Sequence, residues 1–214
     1  MKCEHCGGTG QIRQKTDIGW VMKICPICHG KGEERISADD ILLLVDMQNG
    51  YRNDYTEPAI QELKALFQKI SFRKVVATKF INYEKSWFHK EFHYSFLMNA
   101  EEQDIIPEFK PFVSCTVLKE SFNCITDGFV DQLRILNHEV IPSRVLLAGF
   151  DTEGCVLATA MGLFEKGIRP CILVDCIAVR VTERNGQWEY LYMPPIVSTV
   201  LRWGLAVSFL YGKI

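Results

Sequence analysis

A carboxylate, an ammonium and a thiol stand at the carboxyl ends of three separate apolar runs. Asp46 closes Leu42-Leu43-Leu44-Val45, Lys119 follows Cys115-Thr116-Val117-Leu118, and Cys155 follows Ala148-Gly149-Phe150-Asp151-Thr152-Glu153-Gly154. If the runs are strands of an open α/β sheet, all three side chains reach the crevice beyond the strand ends, where ligands of such sheets bind. Cys155 also lies at the start of a helix-period segment, where free backbone N–H groups and the helix dipole favour a thiolate. A nearby lysine pushes the same way, and a carboxylate within hydrogen-bond reach takes the thiol proton. Backbone N–H groups at the helix start are placed to hold an oxyanion. Sulfur, base, cation and oxyanion donors together equip a site to attack a carbonyl carbon.

A second set of chemical residues opens the chain. Cys3-Glu4-His5-Cys6-Gly7-Gly8-Thr9-Gly10 is repeated as Cys25-Pro26-Ile27-Cys28-His29-Gly30-Lys31-Gly32. Each CxxC turn aims two thiolates at one point, and two turns complete a tetrahedron around Zn²⁺. Glycines behind each turn permit tight folding with positive φ. The expected ligands are Cys3, Cys6, Cys25 and Cys28, in a closed structural site, with a redox dithiol as the competing use of CxxC. Gln11–Lys15 and Trp20–Ile24 read as two short strands, reversed at Asp17-Ile18-Gly19. The repeat resembles half of the cysteine-rich domain of DnaJ-type co-chaperones, where two such units share one zinc.

The elements that must carry the three reactive groups are legible in the remainder, residues 37–214. Expected strands are Ile41–Asp46, Lys74–Lys79, Ser114–Leu118, Arg144–Gly149, Pro170–Asp175 and a last one at Leu205–Leu210. Between them, Ile60, Leu63, Leu66, Phe67 and Ile70 recur at helical spacing, as do Ile125, Phe129, Val130, Leu133 and Leu136, and Val156, Leu157, Ala160, Met161 and Phe164. Alternation of apolar runs and helices predicts an open, Rossmann-like parallel sheet flanked by helices, with a small zinc-binding β-hairpin at residues 1–36. The irregular, aromatic-rich stretch from Asn82 to Pro111 suits binding loops or contacts between copies. Cys115 and Cys171 read as packed core thiols.

The segments LLLVDMQNGY, TVLKESF and GFDTEGCVLATAMGLFEKG, in that order, resemble the isochorismatase-like cysteine hydrolases, which include nicotinamidases, N-carbamoylsarcosine amidases and ureidoacrylate amidases. The resemblance implies that Asp46 is the general base, that Lys119 lowers the thiol pKa, and that Cys155 is the nucleophile. It places the oxyanion hole at the N–H groups of Asp151 and Cys155, and a cis peptide at Phe150–Asp151. Gln48, Phe80, Trp87, Phe122 and Phe150 are the expected pocket residues. Nicotinamidases hold a metal through an Asp and several His after the first two strands. Here those places read Gln48-Asn49-Gly50 and Thr78–Asn82, without histidine, so no catalytic metal and no organic cofactor are expected. A cysteine at the nucleophile position points to amide- or ureide-type C–N bonds rather than to a vinyl ether.

Composition narrows the setting. Of 214 residues, 48% are hydrophobic and 23% charged, with net charge -2, which gives no field for nucleic acid or an anionic membrane. No apolar run is long enough to span a bilayer, and the first residues lack a secretory h-region. Nine cysteines, an odd number with four in CxxC pairs, fit reduced thiols in the cytoplasm better than a disulfide framework. The expectation is a cytoplasmic hydrolase of a small molecule, assembled as a dimer or tetramer. The other reading is a catalytically silent ligand-binding or assembly protein that docks a protein partner through its zinc module.

Overall fold

The computed structural model describes residues 9–16, 19–24, 36–178, 181–184 and 187–190. Cys3, Cys6, Cys25, Cys28 and the expected strand at 205–210 lie outside the described residues. The two short strands between the CxxC pairs are present as β1 (Gln11–Thr16) and β2 (Gly19–Ile24), paired antiparallel with Gln11 opposite Ile24.

From residue 41 the order is β3 (Ile41–Val45), α1 (Glu57–Lys69), β4 (Lys74–Phe80), α2 (Trp87–Phe92), α3 (Ala100–Gln103), β5 (Cys115–Lys119), α4 (Asp127–Leu136), β6 (Arg144–Phe150), α5 (Leu157–Glu165) and β7 (Arg169–Ala178). Five strands form one parallel sheet in the order β5-β4-β3-β6-β7. The chain winds outward from β3 to β5, then returns to the other side of β3 as β6. The direction of winding reverses between β3 and β6, and the crevice at that point is where open sheets take ligands. A further antiparallel pair, β8 (Val181–Arg184) and β9 (Gln187–Tyr190), was not expected, although Asn185-Gly186 between them is a strong hairpin signal.

All five residues of β3 are buried because helices cover both faces of the sheet. Leu42 and Leu44 pack with Ala59, Ile60, Leu63 and Leu66 of α1. Ile41, Leu43 and Val45 pack on the other face with Phe129 and Leu133 of α4 and Ala160 and Leu163 of α5. Helix α4 starts where Thr126 Oγ1 accepts the Phe129 N–H, 3.1 Å away, which satisfies one of the orphan donors of its first turn. Among the described residues no helix is long and apolar enough to cross a membrane.

The structure corrects several expectations. Part of the expected stripe on α5 is turned: Val156 and Ala160 are buried as expected, but Met161 and Phe164 face solvent, and Thr159 and Leu163 are buried instead. A single π-helical turn, Thr152–Val156, precedes the α-helix, and α5 carries apolar residues on both its buried and its exposed face. Cys115, on edge strand β5, is only partly buried, whereas Cys171, on the opposite edge strand β7, is buried as expected in the core that α1 covers. No cis peptide occurs among the described residues, so Phe150–Asp151 is trans.

Gly149 marks a close backbone approach between β6 and β3. Its φ is +136°, and a Cβ placed there would lie 2.0 Å from the Val45 carbonyl oxygen. Only a residue without a side chain lets β6 lie this close to the end of β3. Gly149→Ala is expected to destabilise the fold by about 3 kcal/mol or more, at the upper end of single-substitution effects. Urea unfolding measures this, and a loss below about 1 kcal/mol would contradict the packing described.

Candidate active site

Asp46 is the first residue beyond β3, and its φ of +51° places it in the left-handed region. Such a conformation is uncommon outside glycine, although a short polar side chain tolerates it when locally hydrogen-bonded. Thr78 of β4 supplies that support. Its Oγ1 accepts the Asp46 N–H at 3.0 Å and donates to Asp46 Oδ1 at 2.6 Å. The carboxylate is thereby fixed at the strand end, fully buried.

Lys119 is the last residue of β5, two strands from β3. At the usual strand spacing the gap is roughly 10 Å, and only a long side chain crosses it. The Lys119 chain passes beside the Phe80 ring of β4, with Nζ 5.4 Å from the ring centroid. Nζ ends 2.7 Å from Asp46 Oδ2 and donates to Cys155 Sγ at 3.0 Å. It also donates to the carbonyls of Ser121 at 2.9 Å and Phe122 at 3.2 Å. The structure therefore brings the three sequence-selected groups together around one nitrogen atom.

Burial alone would lower the Lys119 pKa, but Asp46 and then Cys155 outweigh it and hold the ammonium above its ordinary range. The Cys155 thiol behaves opposite to expectation. Burial pushes it well above its ordinary range, Asp46 adds to the rise, and the opposing influence of Lys119 is smaller. Proximity to a helix start and a lysine does not give a resting thiolate here, because the sulfur has been taken out of water.

Of the expected oxyanion donors, Asp151 immediately precedes the π turn and Cys155 lies within it. The Asp151 carbonyl accepts the N–H groups of Gly154 and Val156, which shapes the turn around the sulfur. The Thr152 hydroxyl in the same turn is buried with no hydrogen-bond partner among the described residues.

The expected pocket residues divide. Phe80 is buried beside Lys119 and contacts Phe88 edge to face at 4.7 Å. Phe122 lies over the turn, within 3.3 Å of where a Gly154 Cβ would stand, and contacts Phe88 at 4.8 Å. The other three are corrections. Trp87 is 67% exposed, since it begins α2 on the outer side while Phe88 faces inward. Phe150 is fully buried in the α1-side core. Gln48 is a buried brace: its Nε2 donates to the carbonyls of Phe80 and Gln103, and its Oε1 accepts the Phe80 N–H.

Two residues escaped the sequence reading. Thr78 gave no signal beyond its place near a strand end. Tyr51, five positions after Asp46, stacks edge to face on Phe150 at 6.2 Å and accepts a 2.7 Å hydrogen bond from the Tyr94 hydroxyl. Its phenol is held well above its ordinary pKa by burial, then by Tyr94, Asp46, Asp151 and Cys155. No group of three or more His, Cys, Asp or Glu side chains suited to a metal occurs among the described residues.

The isochorismatase domain family model matches residues 40–203. The chain belongs to the isochorismatase family. As a hydrolase of that family it is similar in fold to N-carbamoylsarcosine amidase from Thermoplasma acidophilum, at 17% identity and TM-score 0.59 over 77% of this chain and 91% of that one. A cysteine hydrolase from Pseudomonas syringae pv. phaseolicola 1448A aligns at 14% identity and TM-score 0.63, covering 80% and 88%. PnC1 from L. infantum, in complex with nicotinate, aligns at 16% identity and TM-score 0.61, covering 81% and 92%. A separate stretch of 31 residues is 48% identical to the chaperone protein DnaJ of Nitratidesulfovibrio vulgaris. It spans 14% of this chain and only 8% of that chaperone's length.

Because the Lys119 ammonium lowers the thiol pKa, Lys119→Met is expected to move Cys155 ionisation to higher pH. Alkylation of Cys155 at about pH 8 should fall at least tenfold, about one pKa unit of lost interaction. Peptide mass spectrometry across a pH series reads the shift. An unchanged profile in a folded variant would refute the coupling.

Proposed function

We propose that this family hydrolase cleaves a small amide- or ureide-type C–N bond through a thioester on Cys155. The carrying observation is the placement of Lys119 Nζ 2.7 Å from Asp46 Oδ2 and 3.0 Å from Cys155 Sγ. Asp46 takes the thiol proton as sulfur attacks the carbonyl carbon. The resulting oxyanion is received by the N–H groups of Asp151 and Cys155. The C–N bond then breaks, and the leaving nitrogen takes the proton from Asp46 and departs as ammonia or an amine. Water attacks the thioester and gives its proton to Asp46. The acid leaves, and the proton returns to sulfur.

The raised thiol pKa is compatible with this cycle. Before transfer the site holds a carboxylate, an ammonium and a neutral thiol. After transfer it holds a carboxylic acid, an ammonium and a thiolate. The net charge is zero in both states, so a buried site passes the proton without burying a new unpaired charge. Lys119 stabilises either anion in turn. The amidase among the fold neighbours supports C–N chemistry. The second reading, a silent ligand-binding or assembly protein, draws on the burial of Cys155.

Incubation with an electrophilic thiol probe at neutral pH, followed by mass spectrometry, separates the two. Preferential labelling of Cys155 is expected. Cys155→Ala and Asp46→Asn should each lower turnover of a small-amide panel by at least about 10³-fold while leaving the fold intact. Absence of labelling at Cys155 in the wild-type chain would favour the silent reading.

Residues 1–36 are proposed as a structural zinc module and 37–214 as the hydrolase domain. The β1–β2 register supports the zinc site, since pairing of Gln11 with Ile24 brings the chain just after the first CxxC pair beside the chain just before the second. Cys3, Cys6, Cys25 and Cys28 would hold the ion in a closed tetrathiolate, which stabilises the module and leaves no open position for substrate. The module is also the proposed docking unit for a protein partner. Exposed Trp87, Phe92 and Phe96 support assembly as a dimer or tetramer, and the cysteine usage supports a cytoplasmic setting. Elemental analysis is expected to find stoichiometric zinc, lost on Cys3→Ser plus Cys25→Ser while Cys155 labelling persists. Equal loss of labelling would tie the module to the active site instead.

A further inference from the structure

Tyr51 is a hydroxyl-bearing aromatic that links the end of β3 to the aromatic loop. It follows Asp46 by one short 3₁₀ turn (Asn49–Tyr51). Its ring packs edge to face on Phe150, the last residue of β6, two residues before the π turn begins at Thr152. On its other side it packs with Phe80 and Tyr94, and Phe80 is the ring beside Lys119 Nζ. Its phenolic oxygen accepts the Tyr94 O–H. A phenol has one proton to donate, and that of Tyr51 has no acceptor among the described residues.

Tyr94 is itself held rigidly. Asn82, buried at the end of β4, donates through Nδ2 to the carbonyls of Tyr94 and Phe96, each at 2.8 Å. Its Oδ1 accepts the Tyr83 N–H and the Ser86 hydroxyl. The loop is thus fastened from the sheet, and the Tyr94 hydroxyl arrives at Tyr51 as a positioned donor. With its oxygen engaged by Tyr94, Tyr51 has its remaining proton directed elsewhere. The neighbouring charges and burial keep the phenol protonated, so it serves as a donor and not as a base.

We infer that Tyr51 is a specificity residue whose O–H, set by the Tyr94 hydroxyl, binds an acceptor oxygen on the substrate away from the scissile bond. The substrate class is an amide- or ureide-type molecule that also carries a carboxylate or carbonyl oxygen. This inference rests on Cys155 as the attacking sulfur. The packed rings of Phe80 and Phe88 offer no polar group, and Lys119 Nζ already has four polar neighbours. The Thr152 hydroxyl is an unpartnered donor within the π turn itself; on the aromatic side the Tyr51 proton is an uncommitted donor.

The test compares alkylation of Cys155 by iodoacetate, which carries an acceptor, with alkylation by iodoethane, which carries none. Second-order rates are read by peptide mass spectrometry for the wild type, Tyr51→Phe and Tyr94→Phe, with thermal unfolding as the check on folding. Tyr51→Phe is expected to slow iodoacetate by about tenfold, the worth of a hydrogen bond to a charged group, and to leave iodoethane within about twofold. Tyr94→Phe should slow iodoacetate by less, in the same direction. Equal slowing of both reagents, or no change in either, would overturn the role of Tyr51 and leave Cys155 as the nucleophile. No labelling of wild-type Cys155 by either reagent would overturn the nucleophile itself, and this inference with it.

Discussion

The buried ion pair between Lys119 and Asp46 sets the terms for everything around it. Both side chains are almost wholly withdrawn from water, and ions of this kind are costly to bury unless their remaining hydrogen-bonding capacity is met. Thr78 meets part of it for the carboxylate, and the carbonyls of Ser121 and Phe122 do so for the ammonium. The sulfur of Cys155 takes the last place around Nζ. The pair therefore fixes the thiol's surroundings as well as its neighbours. A group is poised for chemistry here because two charges already balance each other and a third can appear only as one of them disappears.

Backbone geometry makes this meeting possible. The left-handed Asp46 turns a carboxylate sideways at the end of a strand that otherwise runs straight into the core. Gly149 lets β6 press against that same strand end, and the π turn that follows brings Cys155 across the gap. These departures from regular structure all lie at the carboxyl edge of β3 and β6. Irregular backbone of this sort is expected where function requires it and the surrounding packing holds it in place.

How much of this was legible in the chain follows from which forces write into sequence. The strands around Leu42–Leu44 and Val145–Leu147 announce themselves as short continuous apolar runs, because both faces of the sheet are covered, and the α1 stripe of Ile60, Leu63 and Leu66 does so by its helical period. The hairpin between the CxxC pairs was legible from its two short runs and the reversal between them. The order of Asp46, Lys119 and Cys155 at strand ends was enough to gather them in one place. The π turn was not legible, since an extra residue in a helix turn leaves no compositional mark, and the exposed face of α5 was misassigned because Met161 and Phe164 outside are as apolar as Ala160 and Leu163 inside. The state of the thiol was misjudged for a different reason. Dipoles and neighbouring charges can be read from spacing, but the depth of burial at Cys155 comes from a core cluster with Val45, Cys124, Ile125 and Phe129, drawn from separate parts of the chain. Trp87 and Phe88 show the same limit, because adjacent aromatics on a short helix give no clue to which one points inward. Tyr51 was overlooked because its meaning comes from Tyr94, forty-three positions away.

The placement of Lys119 has one more consequence. The carboxylate and the sulfur belong to strands in the interior of the sheet, where any shift disturbs packing on two faces. The ammonium instead rides on β5, the marginal strand, flanked on one side only. Reactivity can therefore be tuned from the periphery: a small change in how that border segment lies alters a long, single-chain lever reaching the chemistry, while the inner scaffold stays as it was.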